Sequence, residues 1–218
     1  MNDSKGILNV THNSFNKTSL FGYALNFSST KANATNPNIL FSTNPFTITF
    51  WMKSSYNTGM QDLILHSTAD VGPAGWVVNF YQGNVRMDRS GVDMICYPAC
   101  SGATSTIANG SFQHIVITRN TSKGISLFFN GALVKSATSD NFDFTEAPNH
   151  IQFGDNYLTN SKFYGELDEV RIINGIALNA TQVLRDYQNS NKSTYVFGSA
   201  QFVSTFPNSV ASSPSNAT

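Results

Sequence analysis

The stretch FTITFWMK (Phe46–Lys53) decides the fold class, because large apolar residues occupy every second position along its length. A β-strand places alternate residues on opposite faces, so this stretch predicts a strand with one wholly apolar face. The apolar face consists of Phe46, Ile48, Phe50 and Met52. The opposite face carries Thr47, Thr49, Trp51 and Lys53. Similar patterns predict further strands over residues 62–67, 75–82, 84–89, 113–119, 124–130, 132–136, 150–155 and 162–173.

Short turns between these strands indicate antiparallel pairing. Asn130-Gly131 separates two apolar runs, and both residues tolerate the positive φ of a type I′ hairpin turn. Gly83-Asn84 is predicted to form a second two-residue turn. Parallel strands would need many crossover helices, whereas one helix is predicted, over residues 180–188 with Asn179 as its N-cap. The sequence therefore predicts an all-β fold, an antiparallel two-sheet β-sandwich with one short helix.

The composition narrows the classes of partner. The chain has 218 residues, of which 13 are Lys or Arg and 13 are Asp or Glu, and only 12% are charged. Because nucleic-acid affinity comes mainly from Lys and Arg, the absence of a basic cluster argues against a nucleic-acid partner. No apolar run approaches the roughly 18 residues of a membrane span, and the first ten residues lack the pattern of a signal peptide. Asn, Ser and Thr fill a third of the chain instead.

Four segments in chain order resemble the laminin-G-like, concanavalin-A-like lectin/glucanase superfamily. They are GYALNFSS (22–29), FTITFWMKSS (46–55), FQHIVITRNTSKGISLFFNGALV (112–134) and FYGELDEVRIINGIAL (163–178). The resemblance covers roughly residues 21–188 and implies a concanavalin-A-like jelly roll. The last segment is especially similar to modules in phage and large-virus virion proteins, which implies a virion exterior as one setting.

The predicted organisation is a single domain with two flanking segments. Residues 1–19 form a polar N-terminal segment, and residues 20–204 form the sandwich, with a late strand within 194–206. Residues 205–218 are rich in Ser, Asn and Pro, a composition typical of a flexible tail.

The resemblance also raises glycoside hydrolysis, because laminarinase-type members carry Glu-x-Asp-x-(x)-Glu on one strand. Retaining hydrolysis needs two carboxyl groups about 5 Å apart. In this chain Glu166 and Asp168 share a face, but Val170 and Arg171 stand where the last carboxylate belongs, and Glu169 points elsewhere. The sequence also lacks a Gly-x-Ser-x-Gly motif and a Gly-rich phosphate loop. The chain contains enough Ser, His and Asp residues that a Ser-His-Asp triad remains possible. The incomplete carboxylate motif at Glu166 and Asp168 nevertheless favours a protein without catalytic residues.

The apolar residues of this strand change face between Leu167 and Val170, which predicts a β-bulge near Asp168-Glu169. Two roles for Asp168 remain open. It can hold Arg171 or nearby backbone, or it can ligate a structural Ca²⁺, which the resemblance implies because several relatives hold calcium at a sandwich edge. Calcium takes six to eight oxygen ligands, and no Asp-rich loop supplies the others. The four histidines show no metal-binding spacing, so calcium is the one cofactor the sequence raises.

The cysteines and the glycosylation sequons indicate which cellular compartment or extracellular setting the protein occupies. Cys96 and Cys100 lie close enough in CYPAC for a small disulfide in an oxidising compartment, the alternative being two free thiols. The chain also has ten Asn-x-Ser/Thr sequons, which matter if it passes through a glycosylating lumen. Otherwise they belong to a neutral, hydrogen-bonding surface. The glycosylation candidates in and near the sandwich are Asn26, Asn33, Asn109, Asn120, Asn179 and Asn191.

Exposed aromatic side chains are the features to weigh for ligand binding, because sugar rings stack on flat faces. Tyr56, Tyr97 and Tyr157 lie in predicted loops and are the candidate ligand-binding residues. Trp51 and Trp76 lie in predicted strands and are assigned to packing.

These observations predict a non-catalytic adhesion or recognition module on an extracellular or virion surface, with a glycan as ligand. Its other expected partners are virion or surface proteins, including further copies of the chain or capsid neighbours. Two alternatives remain: a structural capsid or fibre protein without a sugar ligand, and a degenerate glycoside hydrolase. The structural protein should expose large apolar patches, and the hydrolase should carry paired carboxylates in a cleft.

Overall fold

The computed structural model describes residues 10–11, 15–19, 22–27, 32–35, 41–67, 75–89, 92–102, 107–137, 150–155, 161–190 and 201–203. These residues form fifteen strands and one helix, α1 (Ala180–Ser190). The strands are β1 (Val10–Thr11), β2 (Phe15–Ser19), β3 (Gly22–Phe27), β4 (Ala32–Thr35), β5 (Phe46–Lys53), β6 (Met60–Ser67), β7 (Gly75–Tyr81), β8 (Asn84–Arg89), β9 (Val92–Tyr97), β10 (Gln113–Arg119), β11 (Ile125–Phe129), β12 (Ala132–Ala137), β13 (His150–Phe153), β14 (Gly165–Asn174) and β15 (Gln201–Val203).

The strands form two packed sheets, which confirms the predicted β-sandwich. One sheet has the order β1-β4-β13-β6-β7-β8-β9, and the other has the order β12-β11-β10-β5-β14-β3-β2, with β15 also paired to β14. Among the described strands, β14 and β15 form the one parallel pair, with Arg171 opposite Gln201. Helix α1 lies between them in the chain and supplies the crossover that a parallel pair requires. Strands β1 and β2 extend the two sheets into the segment that the sequence set apart as residues 1–19.

The main core lies between the sheets and contains the predicted apolar face of β5. Strands of both sheets contribute to it, and Trp76 is buried in it as expected. A second, smaller cluster lies on the opposite side of the eight-stranded sheet, where α1 packs against the sheet. It consists of Val116, Phe128, Ile173, Leu178 and Val183. Trp51 is also buried on this side, at 3% exposure. We call this helix-covered side of the eight-stranded sheet its outer face.

Both hairpin turns place residues with positive φ at their two central positions. Asn130 (φ 49°) and Gly131 (φ 81°) join β11 to β12 as predicted. The second turn is shifted by one residue from its prediction: Gln82 (φ 51°) and Gly83 (φ 84°) form it, and Asn84 begins β8 opposite Tyr81. Glycine therefore takes the second turn position in both hairpins, and the Asn84 amide donates a hydrogen bond to the Tyr81 carbonyl at 3.1 Å.

Replacing Gly131 by valine is expected to lower the free energy of unfolding by about 2 kcal/mol, because a β-branched residue at positive φ is strained. A Cβ there would also lie 3.0 Å from the ring of Tyr187 and 3.2 Å from Leu184, both on α1. Urea denaturation would measure the loss. Gly131→Asn, which tolerates the turn conformation, should cost clearly less, and equal losses for both variants would contradict the conformational argument.

The predicted bulge in β14 is present. The register against β5 shifts between Asp168 and Arg171, and Glu169 adopts φ 48°. The Glu169 backbone N–H donates to Asp168 Oδ1 at 2.9 Å, so the Asp168 side chain holds the bulge in place. The bend re-aims the strand so that Arg171 lies beside α1.

Helix α1 begins at the predicted cap. The Gln182 N–H donates to Asn179 Oδ1 at 3.0 Å, and the Asn179 N–H donates to Gln182 Oε1 at 2.9 Å, which is a reciprocal capping box. The segment before the helix is fixed by Thr47, whose hydroxyl donates to the Ile176 carbonyl and accepts from the Leu178 N–H. No helix in the described residues has the length and hydropathy of a membrane span.

Candidate functional site

A groove of about 350 Å³ opens at one end of the eight-stranded sheet, where β3, β5 and β14 lie side by side. We call it the tyrosine groove. It is lined by Asn26, Phe27, Lys53, Ser54, Ser55, Gly110, Tyr164, Gly165 and Glu166. Its volume lies at the lower end of the roughly 300–1,000 Å³ of small-ligand sites.

Polar groups line this groove. Glu166 pairs in register with Asn26 on one side and with Lys53 on the other, so the three residues form a row across β3, β14 and β5. Lys53 Nζ contacts Glu166 Oε1 at 3.0 Å and lies 5.5 Å from the ring centroid of Phe112. The Glu166 side chain is only 10% exposed, and its Oε2 has no hydrogen-bond partner among the described residues. The Lys53 side chain is 32% exposed, so its ammonium group is the charged donor that the groove offers to a ligand.

Two exposed tyrosines stand beside the groove. Tyr56 is 46% exposed and Tyr164 is 42% exposed, and their ring centroids are 5.0 Å apart with the planes tilted by 51°. The predicted ligand-binding residue Tyr56 is thus in contact with a residue that lines the groove. Their exposed rings form the kind of surface on which a sugar ring stacks.

Two buried side chains fix the backbone of this tyrosine pair. The Gln61 amide donates to the Tyr56 carbonyl at 3.1 Å and accepts from the Tyr164 N–H at 3.0 Å. The Ser54 hydroxyl donates to the Tyr164 carbonyl at 2.7 Å and accepts from the Tyr56 N–H at 3.1 Å. Because all four bonds involve backbone groups, the two tyrosines are positioned before any ligand arrives, which lowers the entropic cost of binding.

Sequence reasoning did not find Tyr164 as a binding residue. It placed Tyr164 inside a strand over 162–173, whereas β14 begins only at Gly165. Tyr97 was predicted to lie in a loop, but it ends β9, is half-buried, and its ring packs on Phe129 with centroids 5.5 Å apart. Its role in ligand binding stays a prediction. Tyr157 lies outside the described residues. Of the three predicted tyrosines, the structure therefore places Tyr56 at the groove.

A second cavity of about 510 Å³ lies between α1 and the outer face of the eight-stranded sheet. We call it the helix cavity. It is lined by Arg171, Ile176, Leu178, Gln182, Arg185, Asp186 and Asn189.

Asp186 links the helix to the sheet beside this cavity. Its two carboxylate oxygens accept from Arg171 Nη2 at 2.8 and 3.0 Å, and its Oδ2 lies 3.3 Å from His114 Nε2. Burial would raise the pKa of Asp186, but the hydrogen bond to His114 and the charge of Arg171 outweigh burial and lower it. Burial lowers the pKa of His114 despite the carboxylate beside it. At neutral pH the group is therefore a carboxylate, a guanidinium and a neutral imidazole.

This cluster is not a Ser-His-Asp triad. A triad holds the carboxylate on one imidazole nitrogen and the nucleophile on the other. Here Asp186 and the Thr49 hydroxyl both contact His114 Nε2, at 3.3 and 3.1 Å, and the His114 side chain is fully buried. The Ser190 hydroxyl donates to the Asp186 backbone carbonyl at 2.6 Å, and so is not oriented by His114. The arrangement fastens the helix and does not activate a nucleophile.

The hydrolase-like carboxylates of β14 are engaged structurally. Glu166 pairs with Lys53, and Asp168 holds the Glu169 N–H of the bulge.

A second pair of carboxylates lies on the seven-stranded sheet, where Arg86 contacts Asp88 Oδ2 at 3.0 Å and Asp93 Oδ1 at 3.1 Å. Burial and a hydrogen bond with Asp93 raise the pKa of Asp88 to about 7. Arg86 holds both carboxyl groups in a structural cluster, and none of the three residues lines either cavity.

The predicted calcium role of Asp168 has little support in its surroundings. Within the described part of the chain, the one group of three side chains with metal-ligand spacing is Asp93, Cys96 and Cys100, and it does not include Asp168. The bulge contact favours the first of the two roles left open above. Calcium at Asp168 stays a prediction that chelation can test.

We expect EDTA to leave the melting temperature of the purified protein unchanged, because Asp168 already satisfies the backbone of its own bulge and calcium needs about six to eight oxygens. Thermal unfolding with EDTA, and again with excess Ca²⁺, measures this. A melting temperature that falls with EDTA and recovers with Ca²⁺ would show that the protein holds structural calcium, and loss of that response in Asp168→Asn would assign Asp168 to the site.

Cys96 and Cys100 are joined as a disulfide, with 5.1 Å between their Cα atoms. The loop that contains it is held by Asn84, whose side chain accepts from the Ala99 N–H at 3.1 Å and donates to the Gly102 carbonyl at 2.7 Å. The loop is therefore fixed to the start of β8 by hydrogen bonds as well as by the bridge.

The sequon asparagines occupy different environments. Asn26 lines the tyrosine groove, and Asn33 lies in β4. Three others use their side-chain oxygens locally: Asn109 accepts from Ser111 and Gln113, Asn120 accepts from Ser122 and Gly124, and Asn179 caps α1. Asn191 lies outside the described residues. Their glycosylation stays a prediction.

The sequence matches the family model of the concanavalin A-like lectin/glucanases superfamily over residues 28–184. Similar solved structures include the binding domain of Paraclostridial Mosquitocidal Protein 1, at a TM-score of 0.65 and 21% identity. The binding domains of botulinum neurotoxin serotypes D and G match with TM-scores of 0.61 and 0.60 and identities of 15% and 20%. These matches cover 84–85% of this chain but 47% of each neighbour, so the chain spans about half their length. At these identities the likeness shows the fold. No curated protein matches the sequence significantly.

Proposed function

This chain belongs to the concanavalin A-like lectin/glucanase superfamily, and we propose that it is a non-catalytic recognition module that binds a glycan in the tyrosine groove. The proposal draws on the superfamily, which includes lectins, and on structural neighbours that are binding domains of toxins and of a mosquitocidal protein. Its setting is an extracellular or virion surface. That setting is supported by the Cys96–Cys100 disulfide, which persists in oxidising compartments, and by a surface rich in Asn, Ser and Thr.

The observation that carries the proposal is the pairing of two exposed tyrosine rings with the Lys53–Glu166 ion pair of the groove. A sugar presents a flat face of C–H groups and a rim of hydroxyls. Tyr164 and Tyr56 offer ring faces for the C–H groups, and Lys53 Nζ, held by Glu166 Oε1, offers a charged donor for the hydroxyls. Hydrogen bonds to charged groups are about twice as strong as neutral ones, so this small groove can orient one sugar residue.

The two alternative functions are less well supported by the described surface. A particle component should expose a broad apolar patch, but the exposed large apolar residues of the described chain include the two groove tyrosines. The others are Met60, Leu133 and Leu184. A hydrolase needs two carboxyl groups positioned across a cleft, and the carboxylates of β14 are held by Lys53 and by the bulge.

A glycan array followed by titration of the best-bound glycan tests the proposal. Tyr164→Ala should weaken binding about tenfold, because it removes a ring contact of about 1.5 kcal/mol. Glu166→Gln should also weaken binding, since it keeps the shape of the side chain but removes its charge and its pairing with Lys53. Leu133→Ala, which truncates an equally exposed residue of β12, is the matched control. Unchanged affinity in both groove variants, or no bound glycan, would contradict the proposal.

A further inference from the structure

The helix cavity has the features of a binding site in its own right. Four of its lining residues, at positions 182, 185, 186 and 189, have the i, i+3, i+4, i+7 spacing of a single face of α1. They are all polar, and the apolar side chains of Ile176 and Leu178 also line the cavity. The cavity thus combines polar and apolar lining residues, and its volume of about 510 Å³ lies within the range of small-ligand sites.

The charges of the cavity are not balanced. Arg171 and Asp186 neutralise each other through a two-oxygen contact at 2.8 and 3.0 Å. Arg185 also lines the cavity, but it forms no ion pair with any residue that the structure describes. Asp186 is further engaged by His114 and Thr49. One guanidinium is therefore left for a ligand, with the amides of Gln182 and Asn189 one turn away on either side.

We infer that the helix cavity binds a sugar that carries a carboxylate. A guanidinium presents paired donors that match the geometry of a carboxylate, and Arg–carboxylate contacts are frequently bidentate. In this arrangement Arg185 binds the carboxylate, the amides of Gln182 and Asn189 bind hydroxyls, and the ring packs on Ile176 and Leu178.

This inference extends the proposed glycan recognition to a second, acidic subsite, and the two sites are separable. Both lie on the outer face of the eight-stranded sheet. The residue of β5 opposite Glu166 is Lys53, and the residue opposite Arg171 is Thr49. Four residues of strand span about 13 Å, so a substitution in one site leaves the contacts of the other intact.

Calorimetric titration of the full chain with glucuronic acid, and with glucose as its uncharged counterpart, tests the inference. We expect saturable binding of glucuronic acid, much weaker binding of glucose, and weaker binding of the acid as the salt concentration rises. Arg185→Gln should weaken binding of the acid about tenfold, the effect of losing one charge-assisted contact of roughly 1.5 kcal/mol. Lys135→Gln, which removes an exposed cation from β12, should leave it unchanged.

The outcomes distinguish this site from the tyrosine groove. Binding of glucuronic acid that survives Tyr164→Ala but not Arg185→Gln supports the second site, whatever the glycan array shows for the groove. Binding that survives Arg185→Gln, equal affinity for glucose, or binding of sulfate without binding of the acid would each overturn the inference. Circular dichroism of Arg185→Gln should show an unaltered fold, since Arg185 is exposed on α1.

Discussion

Replacing Gly165 by alanine is expected to destabilise the protein by about 3 kcal/mol, the upper part of the range for overpacking a filled site. A Cβ at this position would collide with the carbonyl oxygen of Lys53 and with the ring of Phe163. The first of these atoms belongs to the backbone of the central strand β5, so it cannot move aside as a flexible side chain would.

The surrounding pairing prevents β14 from moving away. Gly165 lies opposite Phe27 of β3, and the next residue, Glu166, lies opposite Lys53 of β5. A shift large enough to relieve the collision would break ladder hydrogen bonds on one side of the strand or the other. It would also disturb the Lys53–Glu166 contact in the tyrosine groove.

Urea denaturation of Gly165→Ala against wild type measures this effect, and Gly175→Ala is the matched control. Gly175 has φ 86°, but an added Cβ there meets no atom within 4 Å. Its replacement should therefore cost only the backbone strain, about 1–2 kcal/mol. If the Gly165 variant proved no less stable than the Gly175 variant, β14 would have more freedom than its two-sided pairing implies.

Residue periodicity predicted most of the sandwich, because strand faces repeat every two residues. The strands over 46–53, 84–89 and 113–119 have the bounds expected from the sequence, and the apolar face of β5 lies in the main core. The same periodicity assigned Thr47, Thr49 and Trp51 to the other face of β5, but the pattern contains no information on which element covers that face. They are buried because α1 packs there, and that contact joins residues more than 100 positions apart.

The candidate sites could not be predicted for the same reason. The tyrosine groove combines side chains of β3, β5 and β14. Its tyrosine pair depends on a hydrogen bond from the Ser54 hydroxyl to the Tyr164 carbonyl and on one from the Tyr164 N–H to the Gln61 side chain, over separations of 110 and 103 residues. Contacts between residues so far apart in the chain leave no local pattern in the sequence from which they could be predicted. The bulge at Asp168-Glu169 was predictable, because a switch of apolar residues between faces is a local signal.

Asp186→Asn is expected to lower the free energy of unfolding by about 3 kcal/mol at pH 7, because removing one partner of a buried ion pair leaves the other charge unpaired. The Asp186 and Arg171 side chains are 16% and 17% exposed, so solvent screens the pair a little, and the lower end of the usual 3–5 kcal/mol applies. The variant keeps the shape of the side chain and a hydrogen bond to His114. The loss in unfolding free energy therefore measures the removal of the charge and includes no contribution from a cavity.

The pH dependence of that loss has a definite sign. The pKa of Asp186 is lower in the folded protein than its ordinary value of 3.8. A depressed carboxyl pKa stabilises the fold fully above the unfolded value, and this contribution disappears as the pH falls through the folded value. Through this carboxyl group, the gap in unfolding free energy between wild type and Asp186→Asn should hence shrink as the pH falls below about 4.

Urea denaturation at a series of pH values measures the gap, and the double variant Arg171→Met, Asp186→Leu is the control. Replacing both partners of a buried pair by apolar residues is often neutral or stabilising, so the double variant should recover most of the stability lost in Asp186→Asn. A double variant as unstable as the single one would show that α1 depends on the geometry of this contact and not on balanced charge. A gap that did not shrink below about pH 4 would contradict the lowered pKa of Asp186.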